Sequence, residues 1–203
     1  MIQAVRTSAW AGLVLALWCF ALPASAKEPD YPKLTGRVVD QAGILSDAAE
    51  GKLTGWLEGL ERDTGKQLVV ATIKSLDGQA IEEYGVGLGR DWGIGQKDKD
   101  TGAILLVAPN DRQVRIEVGY GLEGELTDAQ SRAIIEQRIV PSFRQGDFEG
   151  GIVNGTAAIL NTLGWQGAPQ AQPVAGPAGG GAWMPFLYFG VFFLFVILRM
   201  IFG

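Results

Sequence analysis

The spacing of apolar residues along the middle of the chain switches between helical and strand periods. After Ser46, a favourable helix N-cap, Leu53, Leu57 and Leu60 recur at the intervals of one helix face. Continuous apolar runs predict buried strands, and a run that alternates with charged residues predicts a half-exposed one. The predicted helices are 46–63, 80–92, 127–140 and 147–163, and the predicted strands are 67–73, 103–108 and 113–118.

The order of these elements indicates an α/β fold, with a mixed β-sheet sandwiched by helices. A right-handed crossover makes strands 67–73 and 103–108 parallel, and the turn at 109–111 makes strand 113–118 antiparallel to both. The loop before residue 103 and the loop after residue 118 should therefore lie at the same end of the sheet. Pro141 is expected to interrupt the third helix after Val140.

Carboxylates are concentrated in those two loops. Gathered at one end of the sheet, they repel one another unless they are protonated or neutralised by a cation. This favours a site for a hard cation, but an acidic rim exposed to solvent, with Asp128 only complementing a helix dipole, explains the pattern equally well. The residues concerned are Asp98, Asp100, Glu123, Glu125 and Asp128.

Composition removes several classes of chemistry. The chain has no His, and its one cysteine, Cys19, lies in an apolar N-terminal stretch, so triads with His and the usual zinc, haem and iron–sulfur ligands are excluded. The net charge of −5 argues against nucleic acid as a partner. No glycine-rich segment has a phosphate-loop or dinucleotide-binding pattern, which argues against a nucleotide.

Both ends of the chain carry membrane signals. Residues 1–26 have the layout of a signal peptide, with cleavage expected after Ala26; the alternative is an uncleaved anchor. Residues 183–202 are apolar enough for a transmembrane helix, and the uncharged residues 164–182 are expected to form a linker. Residues 27–163 then form one domain, which the positive-inside rule places outside the membrane, with the C-terminus in the cytoplasm.

Several motifs, in order along residues 38–163, resemble the TPM domain. They are VVDQAGILS (38–46), TGKQLVVAT (64–72), DWGIGQK (91–97), DTGAILLVA (100–108), VRIEVGYGLE (114–123), LTD (126–128) and IVPSFRQGDF (139–148). The resemblance implies an α/β/α sandwich with an acidic metal site, which is reported as calcium in some members. It also implies an acid-phosphatase activity in a plant thylakoid relative, and roles in assembly or repair of membrane complexes. The matching acidic positions are Asp40, Asp100, Glu123 and Asp128.

Two functional classes follow from these observations. In the first, a domain tethered to the inner membrane and facing the periplasm binds Ca²⁺, or Mg²⁺, and a protein partner of the envelope. Tyr120 and Trp92 are then candidate partner contacts, although Trp92 fits a core position equally well. In the second, the domain is a metal-dependent phosphoric monoester hydrolase. The expected position of Arg112, at the hairpin tip and far from the acidic loops, weakens the second class.

Overall fold

Four strands form a single sheet in the part of the chain that the computed structural model describes, residues 31–96 and 99–170. The strands are β1 (Val38–Asp40), β2 (Gln67–Thr72), β3 (Gly102–Ala108) and β4 (Gln113–Val118), and this is also their order across the sheet. Strands β1, β2 and β3 are parallel, and β4 is antiparallel to β3. The predicted mixed sheet is confirmed. Strand β1 was not predicted, because three residues are too few to show a strand period.

Helices cover both faces of the sheet. They are α1 (Asp47–Thr64), α2 (Ile81–Trp92), α3 (Asp128–Ile134), α4 (Val140–Arg144) and α5 (Phe148–Thr162). One apolar cluster joins Leu105 and Ile116 of the sheet to α1, α3 and α5. A second cluster, on the opposite face, joins Leu106 of the sheet to Ile81 and Leu88 of α2. The sheet is therefore the middle layer of an α/β/α arrangement, with α2 covering one face.

The helices begin and end at the predicted capping residues. The Ser46 side chain accepts a hydrogen bond from the Ala49 N–H at the start of α1, and Gly65 ends that helix with a φ of 72°. Thr127 and Gln130 form a reciprocal capping box at the start of α3. Asp147 caps α5 through the Gly150 N–H. These local hydrogen bonds explain why the predicted bounds of α1 and α5, and the predicted start of α3, lie within one or two residues of the observed ones.

The expectation that Pro141 interrupts the helix after Val140 is wrong. Helical backbone continues from α3 through a π-helical turn, Ile135–Ile139, into α4, which ends at Arg144. The Val140 N–H bonds to the Ile135 carbonyl, five residues back, so the hydrogen-bond register shifts just before the proline. Pro141 then lies in the first turn of α4, where a helix tolerates the missing N–H.

The packed domain continues past its predicted end at Leu163. The Trp165 indole Nε1–H donates to Asp63 of α1 at 2.8 Å, and the Asn161 side chain donates to the Pro169 carbonyl at 2.8 Å. The first residues of the predicted linker, 164–182, are thus part of the fold. Within the described ranges we find no helix with the length and apolarity that a membrane crossing requires. The predicted signal peptide 1–26 and transmembrane helix 183–202 lie outside those ranges.

The Trp165–Asp63 contact predicts an acid-sensitive C-terminal edge. The indole hydrogen bond lowers the pKa of Asp63 below its ordinary value. A carboxyl with a lowered folded-state pKa contributes stability that is present above its unfolded-state pKa and is lost as the pH falls through the folded-state value. Below about pH 4, stability should therefore fall more steeply in the native chain than in Trp165→Phe, which lacks the indole N–H. Urea unfolding between pH 6 and 3 measures this difference, and equal slopes would contradict it.

Candidate functional site

A cleft of about 700 Å³ opens between α2 and the end of β4. The loop before β3 forms one wall, and the chain that follows β4 forms another. The two loops therefore meet at one end of the sheet, as predicted from the topology. The charged and aromatic residues that line the cleft are Arg90, Asp100, Glu117, Tyr120 and Glu123.

Direct backbone contacts hold the two loops together. The Gly121 N–H donates to the Asp100 carbonyl at 3.2 Å, and the Gly119 N–H donates to the Gly102 carbonyl at 2.8 Å. A Cβ on Gly119 would overlap the Asp100 carbonyl oxygen, and one on Gly121 would overlap that of Lys99. This approach is possible only where both residues lack a side chain.

Asp100, whose carbonyl accepts the Gly121 hydrogen bond, has a left-handed backbone conformation. Its φ is 48°, a value that Asp tolerates better than most residues. The N–H groups of Lys99 and Asp100 both donate to the Gln96 carbonyl, at 3.0 and 3.2 Å. The Gln67 side chain accepts from the Gly95 N–H at 2.7 Å, which ties the same loop to the start of β2. Hydrogen bonds within the loop and to β2 therefore fix the conformation of the loop that carries Asp100.

The cleft is acidic, and one of its carboxylates is already paired. Arg115 lies 2.7 Å from Glu117 and 3.6 Å from Glu82 of α2. Across the described ranges, no Lys or Arg lies within 4.0 Å of the Asp100 or Glu123 carboxylate. These two groups are exposed, line the same cleft and form no ion pair within the described ranges.

The other predicted acidic ligands lie elsewhere. Asp128 belongs to the first turn of α3 and does not line the cleft, and Glu125 forms an ion pair with Lys66. Residues 31–96 and 99–170 contain no group of three or more Asp, Glu, His or Cys side chains that could hold a metal ion. Calcium takes six to eight oxygen ligands, so the side chains described do not form a calcium cage by themselves. Asp98 lies outside the described residues.

Asp40 lies at the opposite end of the sheet from the cleft. It ends β1, whose carboxyl end is next to Thr72 at the end of β2. Its carboxylate accepts hydrogen bonds from the Thr72 hydroxyl and from the N–H groups of Gly43 and Leu45, the latter two at 3.1 and 2.9 Å. The structure therefore does not bring Asp40 together with Asp100, Glu123 and Asp128, because β1 runs parallel to β2 and ends at the far edge. Asp40 shapes the loop that leads into α1.

The two predicted partner contacts differ in exposure. Tyr120 is 81% exposed at the cleft. The Trp92 ring packs against the apolar cluster under α2, and its indole N–H donates to the Pro32 carbonyl at 2.7 Å. Of the two, Tyr120 is the one that presents its ring to solvent.

Arg90 and Glu117 line the cleft but were not among the predicted site residues. The alternation of β4 contains a signal for Glu117, since Arg115 and Glu117 face α2 while Val114, Ile116 and Val118 face the other layer. Arg90 lies in the last turn of α2, and only the packing of that helix on the sheet brings it to the cleft.

Comparison with known proteins agrees with this fold. The family model of the TPM domain matches residues 38–162. A solution structure of the N-terminal domain of a protein from P. gingivalis is 34% identical, with a TM-score of 0.62, and the match covers 66% of this chain and 88% of that one. The N-terminal domain of cg2496 from Corynebacterium glutamicum is similar in fold alone, with 18% identity and a TM-score of 0.51 over 77% of this chain and 96% of that one.

The chain is a member of the TPM domain family. Among curated proteins it is similar to the UPF0603 protein Rv2345 of Mycobacterium tuberculosis, with 25% identity over 145 residues. That match covers 70% of this chain but only 21% of the relative, so the chain spans about a fifth of that protein.

The contact between the two loops predicts that Gly121→Ala destabilises the domain. The new methyl group would meet the Lys99 carbonyl oxygen, which is backbone and can move only with its loop. Overpacking of this kind costs about 1–3 kcal/mol. Gly124→Ala is the matched control, since no atom of the described residues lies within 4 Å of a Cβ there. Urea unfolding measures the free energy of unfolding of both variants. Equal values would contradict the close approach of Gly121 to the Lys99 carbonyl.

The hydrogen bonds of Asp40 predict a structural role. Asp40→Ala removes the acceptor for Thr72, Gly43 and Leu45, which should lower the free energy of unfolding by roughly 2–3 kcal/mol. Asp40→Asn keeps one carbonyl acceptor and should lose less. Chemical denaturation measures stability, and calorimetry measures cation binding by the same variants. A variant with native stability that no longer binds Ca²⁺ would instead identify Asp40 as a metal ligand.

Proposed function

We propose that this TPM domain is a non-catalytic interaction module that binds a cationic group of a protein partner in the cleft between α2 and β4. The observation that carries the proposal is an exposed Tyr120 ring in the same cleft as two carboxylates, Asp100 and Glu123, that form no ion pair with any described residue. An ammonium or guanidinium group can pair with such carboxylates and stack on the aromatic face. A lysine or arginine side chain of the partner is the ligand with that chemistry.

The same two carboxylates are the candidate ligands for the predicted calcium site. Asp100 and Glu123 are oxygen ligands suited to Ca²⁺ or Mg²⁺, but water or partner groups would have to supply most of the coordination sphere, because the described side chains do not. In this proposal a divalent ion competes with the partner for the acidic pair or bridges the two.

We also propose that the module works at the outer face of the inner membrane. This location rests on the signal-peptide pattern of residues 1–26 and the apolar segment 183–202. Residues 171–182, rich in Gly, Pro and Ala, would give the domain reach from the membrane to an envelope complex.

One observation favours a second candidate function, hydrolysis of phosphate monoesters. Arg90 lines the cleft together with Asp100, so a cationic group and a carboxylate share one site. Phosphoryl transfer uses cationic groups to stabilise the charge on the transferred group. In this alternative Arg90 would orient the phosphate, and Asp100 would hold a metal ion or accept a proton from water.

A single set of titrations separates these functions. The purified protein is titrated by calorimetry with a short lysine- and arginine-rich peptide, with Ca²⁺ and with Mg²⁺, and release of p-nitrophenol from its phosphate ester is followed on the same sample. The double variant Asp100→Asn/Glu123→Gln removes the negative charge of these two cleft carboxylates. The matched control, Glu58→Gln/Glu136→Gln, removes the same charge from exposed positions that do not line the cleft.

We expect the cleft variant to bind the peptide about tenfold more weakly or worse, and the control to bind like the native chain. Equal weakening in both variants would show that net charge alone attracts the peptide, which contradicts the proposal. Turnover that is present in the native protein and lost in Arg90→Gln and in the cleft variant would replace it with the enzymatic function.

A further inference from the structure

We propose that β4 is a self-association edge, at which a second copy of this chain adds its own β4 in antiparallel orientation. Strand β4 is the last strand of the sheet and pairs only with β3 in the described part of the chain. One long edge of its backbone is therefore open to another strand. The edge shares Glu117 with the cleft, but the inference rests on backbone pairing and does not depend on the proposed function.

The register of the hairpin shows which backbone groups face outward. The Gly119 N–H bonds to the Gly102 carbonyl, so Gly119 and Gly102 form a hydrogen-bonded pair of the antiparallel ladder. Hydrogen-bonded residues alternate along such a ladder, so Arg115 and Glu117 also direct their N–H and C=O groups toward β3. Val114, Ile116 and Val118 direct theirs away from the sheet. No hydrogen bond to these outward groups is formed within the described ranges.

The sequence of β4 matches itself when reversed. If two copies pair around a two-fold axis at Ile116, the outward groups of Ile116 meet those of its counterpart, and Val114 lies opposite Val118 of the partner subunit. Each Arg115 then lies opposite Glu117 of the partner subunit on the face that α2 covers. On the other face the opposed side chains are all apolar. Isologous pairing requires this kind of self-complementarity.

Charge complementarity favours a second copy of this chain as the strand that pairs with β4. Within one chain Arg115 contacts two carboxylates, Glu117 and Glu82, so this face of the edge has one more acidic group than basic ones. The partner's Arg115 would supply a second cation to Glu117. Charged side chains at an edge can also serve only to prevent pairing, and the two roles make opposite predictions.

The test uses two differently tagged copies of the full chain, co-expressed, with one tag captured and the other quantified. Native copies should capture one another. Arg115→Glu alone and Glu117→Arg alone each place like charges opposite one another, so capture between identical variants should fall about tenfold. Mixing the two variants restores opposite charges at both positions, and capture should return to the native level.

Two further variants keep the test decisive. Glu58→Arg reverses the charge of an exposed residue of α1 and leaves the edge and its neighbours on α2 unchanged, so capture should stay native. Val118→Pro removes one outward N–H, a position where an edge strand accepts proline, and should abolish capture. Circular dichroism checks that each variant folds, and Val118→Pro replaces any charge variant that does not. Absence of capture between native copies, or capture that the single charge reversals leave unchanged, would overturn the proposal.

Discussion

The site depends on the close approach of two backbone segments, residues 99–102 and 119–121. Their hydrogen bonds and the absence of side chains at Gly119 and Gly121 join the start of β3 to the chain that leaves β4. The left-handed Asp100 and the exposed Tyr120 lie at this junction, and both line the cleft. A side chain large enough to separate the segments would move both groups. The positions of Asp100 and Tyr120 in the cleft are thus set by backbone packing.

Strand β4 connects the two surfaces of interest. The side chain of Glu117 lines the cleft and pairs with Arg115, while the outward backbone groups of the neighbouring residues form the open edge of the sheet. A strand added at that edge would lie beside the cleft. The two surfaces are nevertheless chemically different: among the described residues, the cleft has carboxylates without an ion pair and the edge has backbone groups without a hydrogen bond.

Much of the fold could be predicted because its signals are local. The caps at Ser46, Gly65 and Thr127 and the alternation of 113–118 located the helices and the hairpin. The right-handed crossover was enough to bring the loops of Asp100 and Glu123 to one end of the sheet. Strand β1, in contrast, is only three residues long, and without it the position of Asp40 at the far edge could not be derived. Arg90 reaches the cleft only through the packing of α2 on the sheet, which no sequence period encodes.

The most direct test of the account is a solution NMR titration with the lysine- and arginine-rich peptide, read at the backbone amides of the domain. If the cleft binds the peptide, the largest shift changes occur at Asp100, Gly119, Gly121 and Tyr120, with little change around Asp40 and Thr72 at the opposite end of the sheet. Changes concentrated at that opposite end, or spread evenly over the acidic surface, would contradict the assignment of the cleft as the binding site.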